Sequence, residues 1–266
     1  MPERAIGVFD SGIGGLTVLK EILRFLPGEE LFYLGDTARV PYGTKSPATV
    51  LRYAVEAAGF LVRRQVKMLV VACNTASSVA ISELEQRYCL PVMGVIEPGA
   101  RRAASVTRSG KVGVIGTEGT IRSGAYTRAI QALDPDIRVF PSPCPLFVPL
   151  VEEGWVDHQV AHLVAREYLE PLKDQGIDTL VLGCTHYPLL KTTLRQVLGD
   201  EVMLIDSAEE TAHLVAALLG KNGFLRSAAP GHPRYFVTDD PGRFTKVGGA
   251  FVGSLLQDVE LVNLED

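Results

Sequence analysis

Two cysteines in this chain sit where a thiol could do acid–base chemistry. Cys73 follows the apolar run Val70-Val71-Ala72, and Cys184 follows Val181-Leu182-Gly183. Each is trailed by amide or hydroxyl residues: Asn74, Thr75, Ser77 and Ser78 in one case, Thr185 in the other. A position between strand and helix offers free backbone N–H groups and partial positive charge, which favour thiolate over thiol. A thiol near its reference pKa of about 8.5 is still mostly protonated at neutral pH. Each therefore needs a neighbour that takes or shares its proton. Asp10, at the end of an early apolar run, and His186, two residues after Cys184, are different candidates for the two sides. Cys89, before Pro91, and Cys144, in the Pro-rich segment Pro141–Pro149, lack this setting and read as bystanders. With no CxxC among the four, neither a disulfide framework nor a zinc ribbon is indicated.

Other turns carry polar groups that could hold a ligand. Asp10-Ser11-Gly12-Ile13-Gly14-Gly15 offers a hydroxyl and exposed N–H groups to an anion. It also suggests a dinucleotide site, with Asp36 as the ribose acid, but the last glycine of the fingerprint is missing. Pro41-Tyr42-Gly43-Thr44-Lys45-Ser46 is a donor-rich turn, and Thr117-Glu118-Gly119-Thr120 repeats the hydroxyl theme. Glu152-Glu153-Gly154-Trp155 places acidic groups and the single Trp just before an expected helix.

The elements that must position these residues alternate along the chain. Ala5–Phe9, Leu31–Leu34, Met68–Ala72, Val92–Val95, Val112–Ile115, Thr179–Leu182, Val202–Ile205 and, in the tail, Tyr235–Val237 read as strands. Helical patterns lie between them: Gly15–Phe25, Pro47–Gln65, Ala76–Tyr88, Gly99–Thr107, Gly124–Leu133, Val156–Lys173, Leu189–Leu198 and Ala208–Gly220. This alternation predicts an α/β fold with mainly parallel sheets. Gly7-Val8-Phe9-Asp10-Ser11 is echoed 106 residues later by Gly113-Val114-Ile115-Gly116-Thr117. Val70–Thr75 is echoed 111 residues later by Val181–His186. The near-equal offsets suggest two homologous α/β units, the second over about 98–206, with Pro98-Gly99 as a crossing between them. The cleft between two such units would be lined by strand ends and helix starts.

Composition sets the outer limits. The 266 residues carry 26 Lys plus Arg against 31 Asp plus Glu, a net charge of −5, with 47% hydrophobic and 21% charged residues. That excludes a disordered or collagenous chain and argues against non-specific nucleic-acid binding. Apolar runs such as Met68–Cys73 are too short to span a bilayer, and the N-terminus does not read as a secretory signal. A soluble cytoplasmic protein is expected.

Four blocks together resemble a known family: Phe9-Asp10-Ser11-Gly12-Ile13-Gly14-Gly15-Leu16, Gly35–Gly43, Ala72-Cys73-Asn74-Thr75-Ala76 and Leu182-Gly183-Cys184-Thr185-His186-Tyr187-Pro188-Leu189. They look like bacterial glutamate racemase, of the cofactor-independent aspartate/glutamate racemases. The similarity spans residues 5 to about 211, including Gly116-Thr117 with Thr120, and Ile205-Asp206-Ser207. The resemblance implies two pseudo-symmetric lobes around glutamate, the first discontinuous (1–97 plus 207–266) and the second 98–206. It implies catalytic roles for Cys73, Cys184, Asp10, His186 and Glu152, with Cys73 acting on D-glutamate and Cys184 on L-glutamate. Asp10, Ser11, Tyr42, Gly43, Asn74, Thr75, Thr117, Thr120, Thr185 and His186 would bind the substrate. No pyridoxal phosphate, other cofactor or metal is implied; the partner is a small-molecule substrate, with neither nucleic acid nor membrane, and homodimers are common in the family. Aspartate is the neighbouring substrate of the same chemistry. The chain starts almost at its first strand, without the N-terminal extension of some members, so activator-dependent regulation is not expected. The implied role is supply of D-glutamate for peptidoglycan.

Overall fold

The structure, a computed structural model, describes residues 2–226 and 231–265. In it the apolar runs become strands. The first set is β1 (Ile6–Asp10), β2 (Leu31–Gly35), β3 (Met68–Val71) and β4 (Val92–Gly94). The second is β5 (Lys111–Gly116), β6 (Arg138–Pro143), β7 (Thr179–Gly183) and β8 (Met203–Asp206), and the tail adds β9 (Arg234–Val237) and β10 (Val259–Leu261). They form a six-stranded sheet of order β10-β9-β2-β1-β3-β4 and a four-stranded sheet of order β6-β5-β7-β8. Every pairing is parallel. Strands β1, β3 and β7 are buried along their whole length, as continuous apolar runs in a parallel sheet should be. The α/β architecture with parallel sheets is as the sequence predicts.

The helices are α1 (Leu16–Phe25), α2 (Pro47–Arg63), α3 (Asn74–Arg87), α4 (Ile96–Val106), α5 (Glu118–Ser123), α6 (Ala125–Leu133), α7 (Phe147–Glu152), α8 (Gln159–Asp174), α9 (Lys191–Leu198), α10 (Ser207–Lys221) and α11 (Pro241–Val252). Helix α2 shows how local sequence sets a start: Ser46 accepts the N–H of Thr49 at 3.3 Å and Pro47 opens the first turn. The Pro98-Gly99 step lies in the helix that joins β4 of one sheet to β5 of the other. Both residues lie inside α4, where Pro98 occupies the first turn and has no helical hydrogen bond to lose.

The two sheets repeat one topology. In each, the first strand lies between the second and third, and the fourth flanks the third. Register makes their carboxyl ends level: Phe9 pairs with Val71, Asp10 with Gly35, and Gly116 with Gly183. Loops leaving those ends therefore start level with one another within each sheet, and the carboxyl ends are where open parallel sheets bind ligands. A shared apolar interior, running from Val8 and Val70 to Leu182 and Phe147, joins the two sheets.

Candidate active site

Strand β1 ends at Asp10, β3 is followed by Ala72-Cys73, β5 by Thr117 and β7 by Cys184. Both thiols reach one cavity of about 60 Å³ between the sheets. Ser11, Tyr42, Gly43, Asn74, Thr75, Thr117, Glu152, Thr185 and His186 also line it, together with Gly12, Ile13, Val40, Pro41 and Val148. Asp10 and Thr120 lie behind this wall and do not line it. The thiols are almost sealed from solvent, at 5% exposure for Cys73 and 6% for Cys184.

Cys73 is the N-cap of α3, and its side chain makes no capping bond. Its Sγ lies 3.6 Å from Ser11 Oγ, as donor. The helix terminus was expected to favour the thiolate, but the opposite effect wins. Burial, followed by the charge of Asp10, pushes the Cys73 thiol up to about 12, against the lowering effect of the Ala76 N–H and Ser11. Asp10 is itself buried: its Oδ2 accepts the Gly12 N–H at 2.9 Å, while Oδ1 has no hydrogen-bond partner among the described residues. Burial raises its carboxyl above the usual range, opposed by the charge of His186 and the N–H groups of Gly12 and Gly15. A desolvated carboxylate of that kind is a competent proton acceptor beside a thiol.

The Cys184 side is built differently. Cys184 is followed by a single 3₁₀ turn, Tyr187–Leu190, and only then by α9. His186 Nδ1 lies 3.9 Å from Cys184 Sγ, and its Nε2 lies 3.2 Å from Glu152 Oε1. Burial alone would lower His186; its contacts with Cys184 and Glu152, and the charge of Asp10, outweigh that and raise it to about 10. Glu152 is correspondingly lowered, chiefly by its bond to His186. Glu152 does precede a helix, α8, which starts at Gln159, but it is also the last residue of a short helix of its own, α7. That places its carboxylate against the cavity, whereas Trp155 is partly exposed and not part of the wall.

Hydroxyls and one amide close the remaining walls. The Oγ1 atoms of Thr75, Thr117 and Thr120 form a triangle with sides of 2.9, 3.2 and 3.1 Å, joining a residue of the first sheet's side to two of the second's. Tyr126 Oη donates to Asn74 Oδ1 at 2.7 Å, which leaves Asn74 Nδ2 buried and unpartnered among the described residues. A donor fixed in this way fits a ligand oxygen. The phenol of Tyr42 points elsewhere: it donates to Asp36 Oδ2, so the ring anchors the loop. Gly43 packs on Thr117, where an added Cβ would lie 2.7 Å from the threonine Cβ. Asp36 is wholly buried and also accepts from Arg39 and Thr238, at 2.6 and 3.0 Å. It has no free edge for a ribose, and the dinucleotide reading falls.

Two sheets of one topology thus each bring one thiol to a single cavity, an arrangement suited to acid–base chemistry on a bound molecule. The model of the Asp/Glu/hydantoin racemase family matches residues 6–215, and the chain belongs to that family. Within it the chain is similar to proteins named glutamate racemase. The one from Geobacter metallireducens is 61% identical over 266 residues, covering 100% of this chain and 98% of the relative. The Francisella tularensis structure, solved in complex with D-glutamate, superposes with a TM-score of 0.94 at 41% identity and covers 100% of this chain and 99% of its own. The Thermus thermophilus structure, in complex with β-chloro-D-alanine, gives a TM-score of 0.90 at 50% identity, covering 99% and 98%.

Proposed function

We propose that the protein interconverts L- and D-glutamate by direct proton transfer at Cα between Cys73 and Cys184. The observation that carries this reading is the pair of thiols at equivalent strand ends facing one cavity. With L-glutamate bound, the Cys184 thiolate takes the α-proton and the Cys73 thiol delivers its own to the opposite face. The C–H bond broken and the C–H bond formed lie on opposite sides, so the centre inverts. The thiols exchange protonation states in one turnover, and the reverse turnover with D-glutamate restores them. Between two turnovers in the same direction, Asp10 and the His186–Glu152 pair return the protons.

The same reading assigns the substrate's polar ends to this chain's donors. Asn74 Nδ2, Ser11 Oγ, the Thr75 and Thr117 hydroxyls with Thr120 behind them, Thr185 and the backbone of Tyr42 and Gly43 hold carboxylates, while Asp10 attracts the ammonium group from behind the wall. An α-proton beside a carboxylate is weakly acidic, so a dry cavity and fixed donors must supply most of the stabilisation. A lobed arrangement with boundaries near 97 and 207, a homodimer, a cytoplasmic location and supply of D-glutamate for peptidoglycan belong to the same proposal. No helix among the described residues is long and apolar enough to cross a membrane.

Incubation in deuterated water tests the chemistry. Both glutamate enantiomers exchange the α-hydrogen and converge to a racemate, and turnover of aspartate measured alongside fixes substrate preference. Glutamate that neither exchanges nor inverts would overturn the proposal.

A further inference from the structure

The chain segment between β9 and the first turn of α11 touches both halves of the cavity from outside. At one end, Thr238 Oγ1 donates to Asp36 Oδ1 at 3.0 Å and accepts the Ala38 N–H at 2.9 Å. Beside it, Thr37 Oγ1 donates to the Asp239 carbonyl at 2.6 Å and accepts the Asp239 N–H at 2.8 Å. These reciprocal bonds clasp the tail to the loop after β2. Asp36 in turn receives the Tyr42 phenol, and the loop it fixes supplies Val40, Pro41, Tyr42 and Gly43 to the cavity. At the other end, Asp240 caps α11 by accepting the Arg243 N–H at 2.9 Å, which fixes Arg243 in the first turn. The Arg243 guanidinium donates to Glu152 Oε2 at 3.2 Å, while Glu152 Oε1 faces His186. Helix α11 packs on α1 and so belongs to the first sheet; α7, which carries Glu152, packs on the turn after β7 and on α8. The Arg243–Glu152 bond therefore crosses the cleft.

We infer that residues 238–243 form a brace for both half-sites: Thr238 positions the Val40–Gly43 loop through Asp36, and Arg243 positions Glu152 and His186 while latching the cleft. The segment lies outside the 6–215 span of the family model. Neither residue lines the cavity, so both are positioning residues that act through Asp36 and Glu152. The inference rests on the racemase reading, because what the brace positions is that reaction's acid–base chain. The charged and titratable groups facing Glu152 are His186 and Arg243, with Cys184 and Asp10 behind His186. Removal of Arg243 takes away one of the two cations that hold Glu152 ionised, so Glu152 becomes easier to protonate.

The test compares T238V with T238S and R243M with R243K, each checked for an unchanged circular dichroism spectrum. In T238V, KM for glutamate rises about fivefold with little change in kcat, the worth of one hydrogen bond, and T238S restores it. In R243M, kcat/KM falls about threefold at its optimum, as for an exposed ion pair, and its acid limb moves to higher pH; R243K returns the limb. Wild-type enzyme without racemase activity would remove the functional reading itself. An active wild type, with R243M and T238V matching it in pH profile and KM, would overturn the brace alone. Loss of activity that T238S and R243K fail to recover would also count against it, since that pattern marks damage to the fold.

Discussion

Deletion of one thiol separates the two faces of the reaction, and Cys184→Ala is the informative choice. Enantiomers in water have equal free energy, so the equilibrium constant is one and kcat/KM must be equal in both directions for any variant. Cys184→Ala therefore slows L-to-D and D-to-L conversion by the same factor, although only one face has lost its base. A positioned acid or base contributes about 10²–10⁴ in rate. His186 cannot stand in directly: its Nδ1 sits 3.9 Å behind the sulfur, and transfer needs roughly 2.6–3.2 Å to the reacting atom. A fall of about 10³ or more, some 4 kcal/mol, is the expected loss.

Exchange with solvent is not bound by that equality. Cys73 remains able to remove the proton of D-glutamate and return a deuteron to the same face. In deuterated water Cys184→Ala labels D-glutamate without inverting it and leaves L-glutamate unlabelled; Cys73→Ala does the reverse. Proton NMR of the α-position and polarimetry read the two events separately. The intrinsic obstacle on the Cys73 face is a thiol raised to about 12, whose ionisation at pH 8 costs about 5 kcal/mol until a bound ammonium group offsets it. Racemisation within tenfold of wild type in either variant refutes the two-thiol mechanism. Labelling of L-glutamate by Cys184→Ala refutes the assignment of faces.

Further outcomes follow from single contacts. Asp10→Asn keeps an acceptor for the Gly12 N–H but removes the proton acceptor. It lowers kcat/KM by about 10² and abolishes an acid limb that lies above the ordinary carboxylate range, since burial raises Asp10 and activity is lost as pH falls through that raised value. Gly14→Ala places a Cβ against Thr185 Oγ1 and 2.5 Å from His186 Nδ1, so the loop must move off the Cys184 side. Activity should fall far more than the roughly 1–3 kcal/mol loss of stability seen by urea unfolding. Lys67→Met leaves the buried Glu29 without the lysine that joins it to the Pro2 and Phe224 carbonyls, and unfolding should cost about 3–5 kcal/mol less with KM unchanged.

The strands that place the thiols were readable because each is a continuous apolar run buried on both faces, and polar turns mark their ends. The unread elements broke local rules for reasons the tertiary structure explains. Strand β6 contains Pro141 and Pro143, which argue against a strand, yet it lies at a sheet edge where a missing N–H is tolerated. Helix α7 carries Pro149 in its first turn, and α11 contains the Gly248-Gly249 pair, so neither shows helical propensity. Both hold site groups, Glu152 and Arg243. The cavity residues close to Cys73 and Cys184 in sequence could be seen from spacing. Tyr126, Thr238 and Arg243 could not, because their partners are 52, 202 and 91 residues away. At Cys73 the partial charge of the helix terminus is outweighed by desolvation, which no sequence pattern displays and which is the larger effect for a thiol sealed at 5% exposure.

An acidic chain that accepts a substrate with two carboxylates poses an electrostatic problem, and the cavity wall indicates how it is met. Among the described residues that line it there is no Lys or Arg, and the charged groups around it are Asp10, Glu152 and the raised His186. A lysine in the wall would bind a carboxylate strongly in the ground state, where uniform binding does not speed proton transfer. It would also offer a competing proton beside two thiols that must exchange theirs only with Cα and their own relays. Neutral donors such as Asn74 Nδ2 and the threonine hydroxyls bind oxygen without that proton. The cation that a Cys73 thiolate needs is then the substrate's own ammonium group, which arrives only with the molecule to be inverted. On the proposed mechanism, burial keeps the Cys73 thiol protonated in the free protein, and it becomes a base when glutamate is there to be deprotonated.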